Sequence, residues 1–221
     1  MSANPPLPPS ENTAEYWEAV YRDDAPNGRP RWDIGDVAPP LARVIASGMC
    51  PVAPPAEVLV PGCGTGNDVA FLAAQGFGAV GVDWAEAGVA AARERLASWP
   101  HAAVERADFF ALPQRDDFRE SFELVVEHTF FVAIDPSRRA DYAAVIEAVL
   151  RRREGWYLGL FYNHRRPGGP PFDATEEAIR ATFARPGWQL VHWEMPEDSV
   201  PHRQGKEWLG LWRVTRPRLL L

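Results

Sequence analysis

Val58–Asp68 reads VLVPGCGTGND: an apolar run enters a glycine-dense turn, and an amphipathic pattern, NDVAFLAAQ (67–75), follows it. Strand, glycine turn and helix in that order open a doubly wound α/β sheet, whose ligands sit at the carboxyl ends of the strands. The dinucleotide fingerprint G-x-G-x-x-G does not fit here. Counted from Gly62 and Gly64 its third glycine falls on Asn67; counted from Gly64 and Gly66 it falls on Val69. What stands is G-x-G-x-G, whose missing side chains let backbone approach a ligand. A turn that holds nothing would read the same way.

Outward from this stretch, strand and helix patterns alternate. Strands are expected over 57–60, 79–83, 102–108, 122–127 and 155–162, and helices over 67–75, 85–99, 139–150 and 175–184. QLVHWEM (189–195) and WLGLWRV (208–214) follow as an antiparallel pair. The expectation is a mostly parallel, doubly wound sheet of seven strands. Upstream, TAEYWEAVYRDD (13–24), with Thr13 as cap, and a second stretch over 38–47 read as helices. Residues 13–55 thus form a helical extension on a core of 56–221, together one domain, and the proline-rich residues 1–12 are expected as a mobile tail.

Bulk properties narrow the partners. The 221 residues carry a formal charge of −7, which argues against gripping nucleic acid or an anionic membrane by charge. Two cysteines, Cys50 and Cys63, provide neither a disulfide framework nor metal-ligand spacing, so no metal is expected. The reducing cytoplasm suits such a chain, whose start, MSANPPLPPSENTAE, has no secretory pattern. No apolar run is long enough to cross a bilayer. Nine tryptophans imply a rich core, an aromatic-walled site, or both.

Acidic residues mark the expected strand ends. Asp83 could accept both ribose hydroxyls of a nucleoside cofactor, or simply cap the next helix. Asp108, before Phe109 and Phe110, could bond an adenine amino group beside a ring, or sit in a solvent-facing turn. The G-x-G-x-G spacing resembles motif I of the S-adenosylmethionine methyltransferases. EHTFFVAIDPSRR (127–139), GGPPF (168–172), WEAVYRDDAPNGRPRWDIG (17–35) and RQGKEWLGLWR (203–213) are together similar to the thiopurine S-methyltransferase superfamily, closest to its halide/thiol methyltransferase branch. These pieces lie in order over nearly the whole chain beyond the first dozen residues.

The resemblance implies a Rossmann-like fold whose N-terminal extension covers S-adenosylmethionine, and a site that can be carried over residue by residue. Trp17, Tyr21 and Trp32 match the aromatic residues that fold over the cofactor; Tyr21 stands where tryptophan is usual, and the spacer to Trp32 is longer than the family norm. Gly62, with Gly64 and Gly66, matches the turn that meets the cofactor. Asp83 and the adjoining Trp84 match the ribose region, and Asp108–Phe109 the adenine pair. Glu127 could receive the methionine ammonium or be structural. His128 matches a site-lining position and is the first candidate for a proton acceptor, although a hydrogen-bonded structural histidine is the other reading. Tyr162, His164, Arg165 and Arg166 could line the pocket for the methyl acceptor or form an exposed basic loop. The implied reaction is in-line methyl transfer to a small soft nucleophile: a thiol, hydrosulfide, a thiopurine-like thiol or a halide. An oxygen, nitrogen or metalloid acceptor, or a non-catalytic binder, are the alternatives. A monomer with a small-molecule acceptor is expected.

Overall fold

The apolar run that opens the motif becomes β1 (Glu57–Pro61), buried on both faces. Val58 and Val60 point into one core and Leu59 into the other, so helices must cover both sides of the sheet. The computed structural model describes residues 13–23 and 29–216; the tail expected over 1–12 lies outside the described residues.

β1 sits between two parallel neighbours, β2 (Gly78–Asp83) and β4 (Leu124–His128). β3 (Ala102–Arg106) pairs with β2, and β5 (Gly155–Tyr162) with β4, both in parallel. The order is completed by β7 (Glu207–Val214) and β6 (Trp188–Glu194), giving β3-β2-β1-β4-β5-β7-β6. Only β7 runs against the others. The final pair is antiparallel as expected, but the last strand in the chain lies inside the sheet and β6 takes the edge. Side-chain pattern explains this. Leu209 and Leu211 enter one core and Trp212 and Val214 the other, whereas Gln189 and Val191 of β6 stay exposed.

The strand order reverses between β1 and β4, the switch point where such sheets bind ligands. Helices α3 (Asn67–Ala74), α4 (Glu86–Arg95), α5 (Arg139–Val149) and α6 (Glu176–Phe183) make the crossovers. Upstream lie α1 (Ala14–Asp23) and α2 (Pro39–Ala46). Thr13 caps α1 through the Tyr16 amide at 3.3 Å. The strand expected over 102–108 stops at Arg106, because Asp108 accepts the Phe110 amide at 2.9 Å and starts a 3-10 turn, Phe109–Gln114. Among the described residues, no helix is long and apolar enough to cross a membrane.

Gly66 sets how α3 approaches α4. Its φ is +81°, and a Cβ there would lie 2.9 Å from the Ala92 Cβ and 3.2 Å from its Cα. Gly66→Ala is therefore expected to lower stability by about 3 kcal/mol, left-handed strain and overpacking adding together. Urea unfolding with an unchanged m-value checks this.

Candidate active site

The glycine turn is fastened from two directions. The Gly64 amide donates to Asp83 Oδ2 at 2.9 Å, and Asp83 Oδ1 accepts the Ala85 amide, also at 2.9 Å, just ahead of α4. From the other side Asp33 accepts the Thr65 hydroxyl and, at 2.7 Å, the Asn67 amide. Gly62 keeps the turn bare: its φ is +58°, and a Cβ would meet the Phe130 ring at 2.3 Å. Burial pushes the Asp83 carboxyl above its ordinary range despite these amides.

Beside the turn lies a cavity of about 590 Å³. Trp17, Tyr21 and Trp32 roof it: Trp32 meets both Trp17 and Tyr21 edge to face, with centroids 5.6 Å apart in each pair. Asp83, Trp84, Asp108 and Phe109 line one wall. Arg138 also faces the cavity, its Cζ 3.5 Å from the Phe110 ring centroid. Tyr162, the last residue of β5, and Arg166, in the loop after it, reach the cavity. His164 is engaged by the Pro171 carbonyl at 2.8 Å, and Arg165 by the Gly205 carbonyl, just ahead of β7, at 3.1 Å.

Three expectations change. Glu127 does not reach the cavity; it has no exposed surface and accepts the Phe131 amide at 2.7 Å and the Tyr142 hydroxyl at 2.8 Å. It shares a face of β4 with Val125, and that face meets the aromatic core rather than the site. Gly66 packs against Ala92 and lines neither cavity at the turn. His128 is no free base. Arg203 Nη1 lies 2.9 Å from its Nε2, and because a guanidinium only donates, Nε2 accepts; the ring proton therefore sits on Nδ1, 3.0 Å from Asp68 Oδ2. A neutral imidazole with both nitrogens engaged orients Arg203.

Arg203 is itself the residue that sequence reasoning missed. It lines the cavity, is nearly buried, and also donates to Glu207 Oε1 at 3.3 Å and to the Trp32 carbonyl. Its signal was its place at the head of RQGKEW, just as Asp33 lies within WDIG.

A family model described as thiopurine S-methyltransferase matches residues 12–217. The chain belongs to the thiopurine S-methyltransferase family. It is 29% identical to the probable thiol methyltransferase 2 of Arabidopsis thaliana, over 92% of this chain and 87% of that one. Thiocyanate methyltransferase 1 of the same plant is also 29% identical, over 89% and 83%. The solved 1,6-didemethyltoxoflavin-N1-methyltransferase of Burkholderia thailandensis, with S-adenosylhomocysteine bound, superposes with a TM-score of 0.70 over 97% of this chain and 93% of that one, at 20% identity. This bears out the Rossmann-like fold and the resemblance read from the motifs. The protein is an S-adenosylmethionine-dependent methyltransferase.

Desolvation raises the Glu127 carboxyl from 4.5 to about 7. With its folded value above its unfolded one, the stability tied to its proton is present below pH 4.5 and is lost as pH rises toward 7. Gln can still accept the Phe131 amide through its oxygen and donate to the Tyr142 oxygen through its NH2, without titrating. The stability of Glu127→Gln relative to the parent should therefore improve by about 2 kcal/mol between pH 5 and pH 8, read from urea unfolding at each pH.

Proposed function

We propose that the enzyme methylates a small soft nucleophile that arrives as an anion, such as hydrosulfide, thiocyanate, a halide or the thiolate of an acidic aromatic thiol. We further propose that residues 13–55 close over the cofactor as a lid. The observation that carries the first reading is the pairing of His128 with Arg203. The histidine best placed to remove a proton is committed to holding a buried cation at the cavity wall. A wall built that way suits an acceptor that needs no deprotonation and is attracted by positive charge. Two relatives carry names that point the same way, thiol and thiocyanate methyltransferase.

The residues present fit the cofactor. Bare backbone at Gly62 allows close approach, and Asp83 and Asp108 each keep acceptor capacity beyond the amides they already hold. On this reading Asp83 receives the ribose hydroxyls and Asp108 the adenine amino group, with Phe109 and Phe110 against the base and Trp84 beside the sugar. When bound, S-adenosylmethionine supplies a methyl group activated by its positive sulfur. The chain has to align the nucleophile and strip its water. Trp17, Tyr21 and Trp32 exclude water and present aromatic faces to the cation. Arg203, whose Cζ lies 5.5 Å from the Tyr162 centroid, orients the acceptor together with Tyr162 and Arg166.

Three measurements test this. Incubation with S-adenosylmethionine and hydrosulfide, thiocyanate or iodide should yield S-adenosylhomocysteine and the methylated acceptor; intact cofactor with every acceptor, aromatic thiols included, would leave a binding protein. Calorimetric titration should show Asp83→Ala weakening S-adenosylhomocysteine by more than about tenfold, as expected for a lost charge-assisted contact. His128→Ala should lower kcat/KM by the same factor for a thiol and for iodide. A selective loss with the thiol would restore His128 as a base.

A further inference from the structure

Asp68 is only 9% exposed, and its two carboxylate oxygens are treated differently. Oδ2 accepts from His128, whereas Oδ1 is buried with no hydrogen-bond partner among the described residues. The same holds for Oδ1 of its neighbour Asn67. A carboxylate oxygen stripped of water and given nothing in return is costly, so a donor is missing from the account.

Both residues line a second cavity, of about 30 Å³, the room of one small polar group. Trp32, Gly62 and Thr129 belong to the walls of both cavities, so the small one continues the large one past the glycine turn. Its wall carries the carboxylates of Asp33, Asp36 and Asp68, the neutral ring of His128, and no Lys or Arg. Behind it, the charge of Arg203 is matched by Glu207, which leaves that of Asp68 unbalanced. The place therefore calls for a single cation with hydrogens to donate. Among the described residues no three His, Cys, Asp or Glu side chains are arranged to hold a metal ion, so an ammonium group is the better fit.

We infer that Asp68, assisted by Asn67, receives the ammonium group at the methionine end of the cofactor, the role that Glu127 is too buried to fill. This rests on the cofactor reading above. The polar stations then follow the order of the ligand's parts: Asp108 and Asp83 on the large cavity for base and ribose, Gly62 on both cavities for the sulfur-bearing chain, and Asp68 on the small one for the amine. Asp68 thereby also acts on Arg203, through His128.

The test is calorimetric titration of the full chain with S-adenosylhomocysteine and with its analogue lacking the amino group. Asp68→Asn should weaken the parent ligand by about ten- to a hundredfold and the analogue by less than about threefold. Equal weakening of both ligands would make Asp68 a structural support and overturn the inference. If the wild type binds neither ligand, the cofactor reading itself fails, a different result from equal weakening. Should the variant not fold, a crystal structure of the wild type with S-adenosylhomocysteine decides. The amino nitrogen within hydrogen-bond reach of Asp68 Oδ1 supports the assignment; a nitrogen held only by backbone carbonyls, or by Glu127, refutes it.

Discussion

A chain of buried charge holds this site together: Asp68 at the start of α3, His128 at the end of β4, Arg203 ahead of β7, and Glu207 within it. Burying a guanidinium and two carboxylates costs several kcal/mol per ion unless each is paired and hydrogen-bonded. Arg203 and Glu207 meet that condition in each other, whereas Asp68 meets it at one oxygen only, through His128. Removing any one leaves a neighbour uncompensated, so these segments are tied to one geometry at the switch point. The Trp32 carbonyl, bonded to Arg203, brings the N-terminal strap into the same arrangement. The cavity is thus shaped by electrostatic satisfaction as well as by hydrophobic packing.

The fold was readable because its signals are local and periodic. An apolar run, a glycine turn and an amphipathic stretch place β1 and α3 with no tertiary information. Pairing order is another matter. That β7 enters the sheet ahead of β6 depends on which strand can bury both faces, and the decisive contrast between Trp212 or Val214 and the exposed Gln189 or Val191 emerges only when the two are compared as neighbours. Strand ends told where polar residues gather but not which face each takes. In β4 consecutive side chains alternate, so Glu127 and His128 were bound to point to opposite sides, and the sequence offers no sign of which side is the core. The aromatic residues Phe131, Tyr142 and Tyr157 decide that, by building a core whose polar centre is Glu127.

The nine tryptophans divide along the same line. Trp188, Trp193, Trp208 and Trp212 gather on the last two strands, where Trp193 and Trp208 stack at 14° with centroids 5.4 Å apart. Trp99 and Trp156 pack on the opposite core. Trp17, Trp32 and Trp84 remain at the cavity. Most of the count is therefore structure, as composition suggests, and the part that lines the cavity comes from the N-terminal extension and from Trp84, just past β2. Composition alone could not have separated the two sets, because a ring covering a ligand and a ring covering a strand bury similar apolar area.

The strap of residues 29–37 is anchored at two places beside the cavities, the glycine turn and Arg203. Asp33 grips Thr65 and Asn67 at the glycine turn, and Trp32 gives its carbonyl to Arg203. Each anchor is also a group assigned to a ligand: Asn67 borders the small acidic cavity, and Arg203 faces the large one. A ligand that draws Arg203 toward an anion, or engages Asn67 through an amine, acts on the bonds that hold the strap. On the proposed reading, strap position and occupancy of the two cavities are linked through these shared bonds. The unbalanced charge of Asp68 gives this coupling a direction. With an ammonium group matching Asp68, the turn beside the His128–Arg203 pair is compensated, while Arg203 keeps its ion pair with Glu207 at the cavity wall.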